Sequence, residues 1–149
     1  MTDLDMVMEV MEASFDPHFR EAWTRRQVED SLVLPSTFLI LVDETGNYPD
    51  DKPAAGFVFA RQAADEIELL LIAVRPEVRG KGLGSKLLNQ FFEAARQRHA
   101  ATVFLEMRAN NPAKSLYLRE GFTQIGERRD YYRTAHGNPI DALTYARAV

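Results

Sequence analysis

The chain has no cysteine among its 149 residues. This absence excludes disulfide bonds, thiolate metal sites and a cysteinyl intermediate in any group-transfer reaction. It also agrees with a reducing compartment, and we expect the protein to be cytoplasmic. The three histidines, His18, His99 and His136, are scattered without the spacing of metal ligands. We therefore expect no metal site.

Long apolar runs are missing as well. No stretch approaches the roughly 18 apolar residues that a membrane-spanning helix needs. The first eleven residues carry Asp3, Asp5 and Glu9, where a secretion signal would have a basic start and an unbroken apolar run. We therefore expect neither a membrane partner nor secretion.

The chain also lacks an excess of positive charge. Its 22 acidic and 18 basic side chains give a formal net charge of −4. A general nucleic-acid-binding protein needs a basic surface, so we expect no nucleic-acid partner. The net negative charge favours a cationic substrate instead. The length fits one domain, residues 1–149, and we expect a monomer or a weak dimer.

Hydrophobic periodicity predicts alternating helices and strands, and hence an α/β domain. In the middle of the chain, a strand, a loop, a helix and another strand follow one another, which favours a parallel crossover. The predicted elements are helices at 4–15, from Thr24, from Leu83 and at 112–119, and strands at 38–42, 56–60, 66–74, 103–107, 122–125 and 142–148.

A glycine-rich loop joins the strand at 66–74 to the helix that begins at Leu83. Residues 79–85 read Arg-Gly-Lys-Gly-Leu-Gly-Ser. Free backbone N–H groups and the positive end of the helix meet there, which suits a pyrophosphate, and Arg79 and Lys81 would add positive charge. A simple tight turn explains the same glycines.

The loop matches neither of two common nucleotide-binding patterns. The Rossmann pattern needs glycine at Ser85, and the Walker pattern needs Gly-Lys-Ser/Thr after four intervening residues. Glu106 lies about where a ribose-binding acid follows a glycine loop. A dinucleotide-dependent oxidoreductase therefore stays open as an alternative.

Two sequence blocks resemble the GNAT superfamily of N-acetyltransferases. Residues 74–84, Val-Arg-Pro-Glu-Val-Arg-Gly-Lys-Gly-Leu-Gly, are similar to its acetyl-CoA signature, whose core is Gln/Arg-x-x-Gly-x-Gly/Ala. Residues 110–122, Asn-Asn-Pro-Ala-Lys-Ser-Leu-Tyr-Leu-Arg-Glu-Gly-Phe, resemble its N-x-x-A-x-x-L-Y-x-x-x-G-F block. Two blocks in this order are much more specific than either block alone.

Three shorter segments resemble the RimI type within this superfamily, which acetylates the N-terminal alanine of a small-subunit ribosomal protein. They are Ile-Ala-Val at 72–74, Leu-Glu-Met-Arg-Ala-Asn at 105–110 and Arg-Arg-Asp-Tyr-Tyr at 128–132. The resemblance implies acetyl transfer from acetyl-CoA, as cosubstrate, to the N-terminal α-amine of a protein. Acetylation of a small amine or of a lysine side chain is one alternative, and a CoA-binding sensor without catalysis is another.

The resemblance also implies the fold and the roles of individual residues. The fold is α/β (α+β), a mixed, mostly antiparallel sheet with a splayed parallel central pair, flanked by about four helices. Glu106 would be the base, acting directly or through water, and Tyr117 would protonate the leaving thiolate. A salt-bridged strand glutamate and a packed helix aromatic are the structural alternatives for these two residues.

The expected cofactor site combines the glycine loop with the strand that precedes it and the block that follows. The strand end would be splayed by a bulge and would offer a backbone N–H to the thioester carbonyl, and an asparagine would bind the pantetheine amides. The predicted cofactor-binding residues are Ile72, Ala73, Val74, Arg79, Gly80, Lys81, Gly82, Leu83, Gly84, Ser85, Asn110, Asn111 and Tyr117.

The acceptor side is predicted from an aromatic pair and two acidic residues. Tyr131 and Tyr132 resemble the family's acceptor-side pair and would wall a peptide groove. Glu66 and Glu68 would attract a cationic acceptor to the same groove. An aromatic pair at a strand edge and a solvated acidic face explain these residues equally well.

Overall fold

A computed structural model describes residues 1–15 and 21–149 of the chain. These residues form four helices and six strands, and a short 3₁₀ turn at Pro76–Val78 precedes the third helix. In chain order the elements are α1 (Asp3–Ser14), α2 (Arg25–Leu32), β1 (Thr37–Val42), β2 (Gly56–Ala63), β3 (Glu66–Val74), α3 (Leu83–Gln97), β4 (Thr102–Arg108), α4 (Lys114–Arg119), β5 (Thr123–Tyr132) and β6 (Ile140–Ala148).

Both N-terminal helices begin at a capping box. The Thr2 hydroxyl accepts a hydrogen bond from the Asp5 N–H, and the Asp5 carboxylate accepts one from the Thr2 N–H. Thr24 and Gln27 repeat this arrangement at the start of α2. These exchanges satisfy N–H groups that a helix start leaves free, so the two helices begin where the sequence predicts.

The strands form one mixed sheet in the order β1-β2-β3-β4-β6-β5. The pairing between β3 and β4 is parallel, and the other pairings are antiparallel. The mostly antiparallel sheet with a parallel central pair is therefore as predicted. No helix in the described ranges is both long enough and apolar enough to cross a membrane.

The central parallel pair separates halfway along its length. Its ladder joins Glu66–Leu69 of β3 to Thr102–Leu105 of β4 and ends there. On the other side of β3, Phe59 pairs with Leu71 and Ala60 with Leu69, so Leu70 is an extra residue that bulges from the ladder. The bulge expected around Ile72 to Val74 therefore lies earlier, where it bends β3 away from β4.

The helices cover the two faces of the sheet with separate cores. The apolar face of α3, with Leu87, Leu88 and Phe91 fully buried, packs against one face of the sheet. α1 and α2 cover the opposite face, where Val7 and Val10 pack near Phe57. Because the helices lie on both faces, the gap between β3 and β4 opens inside the layered structure rather than at a sheet edge.

The edge strand β5 differs most from the sequence prediction. It extends to Tyr132 instead of ending at Ile125. Between Arg128 and Tyr132 its pairing with β6 is irregular, and Asp130 takes a positive φ of 54°. Nearly all of its residues are exposed, so no apolar alternation marks this strand in the sequence.

Candidate active site

A cleft of about 760 Å³ opens where β3 and β4 diverge. The ends of α1, β3 and β4, the glycine loop and the start of α4 enclose it. Its lining residues are Ser14, Phe15, Glu21, Ile72, Val74, Val78, Arg79, Gly80, Gly82, Leu83, Gly84, Ser85, Arg108, Asn111, Pro112, Ala113, Leu116 and Arg119.

The glycine loop presents open backbone to this cleft. Gly80 and Gly82 both have φ of 81°, and a Cβ atom added at either position would meet nothing within 4 Å. α3 begins after Gly82 without any side-chain cap. The first N–H groups of α3 therefore point toward free space at the positive end of the helix, which suits an anionic ligand.

Gly84 has a different local role from the two glycines before it. A Cβ atom at this position would lie 3.0 Å from Leu116 Cδ2. The missing side chain therefore lets α3 approach α4 closely. This contact places α4, which carries Tyr117, beside the glycine loop.

Arg79 links the loop to both neighbouring elements. Its Nε donates to the Val74 carbonyl at 2.9 Å, and its Nη2 donates to the Ser14 carbonyl at 3.2 Å. The guanidinium therefore lies across the cleft wall between β3 and α1. Its charge faces the same space as the N-terminus of α3, which strengthens the preference for an anion.

A smaller cavity of about 60 Å³ adjoins the cleft in the gap between β3 and β4. Phe15, Glu21, Ile72 and Asn111 line both spaces. The cavity is otherwise lined by Leu69, Leu70, Leu71, Leu105, Glu106, Met107 and Tyr117. Glu106 and Tyr117, predicted as base and acid, are thus brought to one small space beside the cleft.

Glu106 lies on the strand face opposite α3. Val103, Leu105 and Met107 alternate with it and point into the α3 core. Its Oε2 is 3.2 Å from Arg128 Nε and accepts a hydrogen bond from the Thr144 hydroxyl at 3.4 Å. The carboxylate is therefore salt-bridged, and its partner is Arg128 on β5.

Tyr117 is almost completely buried, with 4% of its surface exposed. Its ring packs edge-to-face on Phe122, with centroids 5.8 Å apart. Burial raises the pKa of its hydroxyl well above the usual value, and the negative charge of Glu21 raises it further. The residue is thus both a packed aromatic and a wall of the small cavity, with a hydroxyl that keeps its proton.

The ion pair between Glu21 and Arg108 is a feature that sequence reasoning missed. Arg108 Nε donates to Glu21 Oε1 at 3.1 Å, and both side chains are less than a fifth exposed. Arg108 follows Glu106 by two positions, so strand alternation could have placed it on the same face. Glu21 is 87 residues away from Arg108, and nothing in its own neighbourhood marks it.

The two asparagines at the end of β4 have different positions. Asn111 lines both cavities, and its Oδ1 accepts a hydrogen bond from the Ala113 N–H at 2.8 Å. Asn110 is exposed, and its Oδ1 accepts from Arg108 Nη1 at 3.0 Å. Asn111 is therefore the one of the two whose side chain lines the cleft.

Two other predicted cofactor residues lie away from the cleft lining. Ala73 is buried in the core beneath α1, because its side chain points to that face of β3. Lys81 is exposed and projects from the loop outside the lining. Neither side chain is positioned to contact a ligand inside the cleft.

The tyrosine pair lies on β5 beside the small cavity. The rings are edge-to-face at 5.3 Å, with Tyr131 exposed and Tyr132 partly buried. Burial raises the pKa of the Tyr132 hydroxyl, and the charges of Glu106 and Glu21 add to this effect. Tyr132 thus belongs to the group of side chains around the Glu106 carboxylate.

Glu66 and Glu68 lie on β3, on the other side of β4 from the strand that carries this tyrosine pair, and a groove shared by all four residues stays a prediction. Both acids lie at the start of β3, and Glu68 is level with Phe104 and pairs with Arg61 at 2.8 Å. Tyr132 pairs with Ile140, beyond the far end of β4. The backbone of the two sets is thus offset by about six strand positions along the sheet, although the Tyr132 side chain lies near Glu106.

Among residues 1–15 and 21–149, no three His, Cys, Asp or Glu side chains are grouped closely enough to hold a metal ion. His18 lies outside these residues.

The chain is similar to known acetyltransferases in sequence and in structure. It is 40% identical over 98 residues, 65% of each chain, to the [ribosomal protein bS18]-alanine N-acetyltransferase of Salmonella typhimurium. It is 39% identical over 93 residues, 62% of each chain, to the Escherichia coli protein of the same name. These matches span less than two thirds of either relative.

The structural comparison extends over the whole chain. The crystal structure of the ribosomal-protein-S18-alanine N-acetyltransferase from Escherichia coli matches with a TM-score of 0.83 and 28% identity, covering 100% of this chain and 89% of that one. This likeness confirms the predicted fold. Residues 4–122 match the family described as the Acetyltransferase (GNAT) family. The chain therefore belongs to the GNAT family of acetyltransferases.

Proposed function

We propose that the protein is an acetyl-CoA-dependent N-acetyltransferase that acts on the N-terminal α-amine of a protein, of the ribosomal-protein bS18 alanine type. One observation carries this proposal. The cleft that ends at the glycine loop adjoins the small cavity that contains Glu106 and Tyr117. A donor in the cleft and an acceptor at the cavity would meet between a carboxylate and a phenol.

The residues of the cleft fit coenzyme A. Gly80, Gly82 and the uncapped start of α3 would hold the pyrophosphate, since no side chain fills that space. The strand end at Ile72–Val74 would offer backbone groups to the pantetheine, and Asn111 would add a side-chain amide. Bound acetyl-CoA would supply the acetyl group as a thioester.

Glu106 would remove the proton that the amine loses as it attacks the carbonyl, directly or through water. An N-terminal amine with a pKa near ~8 is roughly 10% neutral at pH 7, whereas a lysine side chain near ~10.4 is far below ~1% neutral. A single carboxylate base is therefore better matched to an N-terminal acceptor, which needs less help to lose its proton.

Tyr117 would give its proton to the departing sulfur. The raised pKa of its hydroxyl keeps the proton in place until the thiolate forms. The same burial that raises the pKa of Tyr117 also raises that of a thiol in the adjoining space. The shared burial therefore partly offsets the weaker acidity of the tyrosine.

The small cavity favours a compact acceptor group. About 60 Å³ accommodates an amine with a small side chain. The named activity of the relatives supports alanine as that residue. A ribosomal-protein acceptor would also mean that the enzyme works in the cytoplasm.

Release of free CoA from acetyl-CoA tests this function and its alternatives. The acceptors are a peptide that begins with alanine, the same peptide with a blocked N-terminus and an internal lysine, and spermine. We expect release with the first peptide and much less with the others. Release that depends on lysine or spermine would reassign the acceptor, and tight acetyl-CoA binding without any release would indicate a sensor.

A further inference from the structure

Arg128 covers the outer side of the Glu106 carboxylate. Its Nε is 3.2 Å from Glu106 Oε2, while its guanidinium carbon lies 5.0 Å from the centre of the Tyr131 ring. The arginine side chain is 60% exposed and that of the glutamate only 19%. A solvent-facing cation thus neutralises a largely enclosed anion at the position where the acceptor amine would arrive.

The other neighbours of the carboxylate come from four different parts of the fold. Thr144 on β6 donates a hydrogen bond to the same Oε2 and carries no charge. Arg108 follows on β4 and is paired with Glu21, which lines the small cavity. Tyr132 on β5 and Tyr117 on α4 have pKa values raised by burial, so both phenols stay neutral.

The charged side chains that the structure describes around the cavity form two ion pairs. Glu106 is balanced by Arg128, and Glu21 is balanced by Arg108. Among the described residues, an ammonium group that enters this site meets carboxylates that are each paired with a guanidinium, and Arg128 weakens the attraction of Glu106 for it. A nearby like charge lowers the pKa of an ammonium group, so Arg128 shifts the bound amine toward its neutral form.

We propose that Arg128 is a positioning residue that makes the site select the neutral form of the acceptor amine. This inference rests on the proposed function, because it concerns the base of that reaction. Arg128 and Thr144 hold Oε2, which leaves Oε1 to face the amine.

The protons and bonds balance as follows. The ammonium loses one proton to solvent on binding, and the nitrogen lone pair then forms the C–N bond while the C–S bond breaks. Glu106 accepts the second proton from nitrogen, and the sulfur takes the proton of Tyr117. Exchange through solvent moves the proton from Glu106 back to Tyr117.

The pH dependence of kcat tests the inference, because it reports groups that titrate in the substrate complex. The enzyme is compared with the Arg128→Gln, Arg128→Lys and Thr144→Val variants, using a peptide that begins with alanine between about pH 6 and pH 9. Arg129→Gln is the matched control, because Arg129 is the exposed neighbour on the same strand. Thermal unfolding with acetyl-CoA verifies that each variant is folded.

We expect Arg128→Gln to move the acidic limb of the kcat profile up by about one pH unit, which is a tenfold loss of kcat on that limb. KM for the peptide should fall, because the ammonium form now binds. Arg128→Lys should keep the acidic limb at the wild-type pH. Thr144→Val should lower kcat without shifting the pH of that limb. Arg129→Gln should match the wild type.

An equal loss of kcat at every pH in Arg128→Gln, with the limb unmoved, would overturn the inference and leave Arg128 as a structural contact. A limb that moves equally in Arg128→Lys would also overturn it, since charge would not be the cause. Absence of turnover in the wild type with every amine would contradict the proposed function itself, and the inference would fall with it.

Discussion

Leu69 and Leu105 form the last pair of the parallel ladder between β3 and β4. Immediately beyond them, Leu70 bulges from β3 and Glu106 lies in the gap on β4. The end of one hydrogen-bonded ladder thus creates the space that the proposed reaction needs. Four predictions about the residues around this gap follow from its geometry and burial.

Glu106→Gln should lower kcat by about 10²- to 10⁴-fold, because the amide keeps the shape of the side chain but cannot accept the amine proton. The thermal shift caused by acetyl-CoA should persist, because Glu106 lines the small cavity and not the main cleft. Glu127→Gln, an exposed change on β5, is the control. Unchanged turnover in Glu106→Gln would remove this residue from the mechanism.

Tyr117→Phe should make the protein less sensitive to alkaline unfolding. Burial raises the pKa of this hydroxyl in the folded state, while the unfolded value is near ~10. Its stabilising contribution is therefore complete below about pH 10 and is lost above it, where only the unfolded chain releases the proton. Urea unfolding at about pH 9 and pH 11 measures the difference.

The wild type should lose more of its free energy of unfolding between these two pH values than Tyr117→Phe does. Tyr132 acts in the same direction, so the variant should keep part of the dependence. Tyr131→Phe, a change at an exposed phenol, serves as the control for removing a phenol. An identical loss in the wild type and in Tyr117→Phe would contradict the assigned burial effect.

Gly82→Ala should weaken acetyl-CoA binding more than it destabilises the fold. A methyl group at this position meets no protein atom within 4 Å, but it occupies the space proposed for the pyrophosphate. Gly137→Ala is the matched control, because Gly137 also has a positive φ, 100°, and lies in a loop away from the cleft. Both variants bear backbone strain of about 1 kcal/mol. Equal acetyl-CoA affinity in the two variants would place the pyrophosphate elsewhere.

The Glu21–Arg108 pair should contribute measurably to folding. A double-mutant cycle with Glu21→Gln and Arg108→Met should give a coupling free energy of about 1 kcal/mol, because both side chains are largely enclosed. The exposed Glu93–Arg96 pair on α3 is the control, with an expected coupling of at most about 0.5 kcal/mol. Equal couplings would mean that solvent screens the inner pair as well.

The sequence predicts the regular elements that have one buried face. β3 has the predicted bounds Glu66–Val74, and α3 begins at Leu83 as its apolar spacing indicates. Their burial patterns are local, so hydrophobic periodicity is sufficient to find them. The second half of β5 was not predicted, because Glu127 and Arg128 are exposed at the sheet edge, where no alternation of apolar residues is required.

Only the motif residues of the site could be predicted from the sequence. The resemblance named Glu106 and Tyr117, and the fold places both at the small cavity. The partners of Glu106 and Arg108 come from distant parts of the chain, and no local spacing signals Arg128 or Glu21. Charge pairing across a sheet depends on tertiary register, which local spacing does not reveal; the pairing of Glu68 with Arg61 on β2 is another example.

The most direct test of the central claim is the intact mass of a peptide that begins with alanine after incubation with acetyl-CoA and the protein. We predict one added acetyl group, located on the α-amine by fragmentation, and almost none with Glu106→Gln. A peptide of unchanged mass under conditions in which acetyl-CoA is bound, or an acetyl group found only on lysine, would contradict the proposal that this protein acetylates protein N-termini.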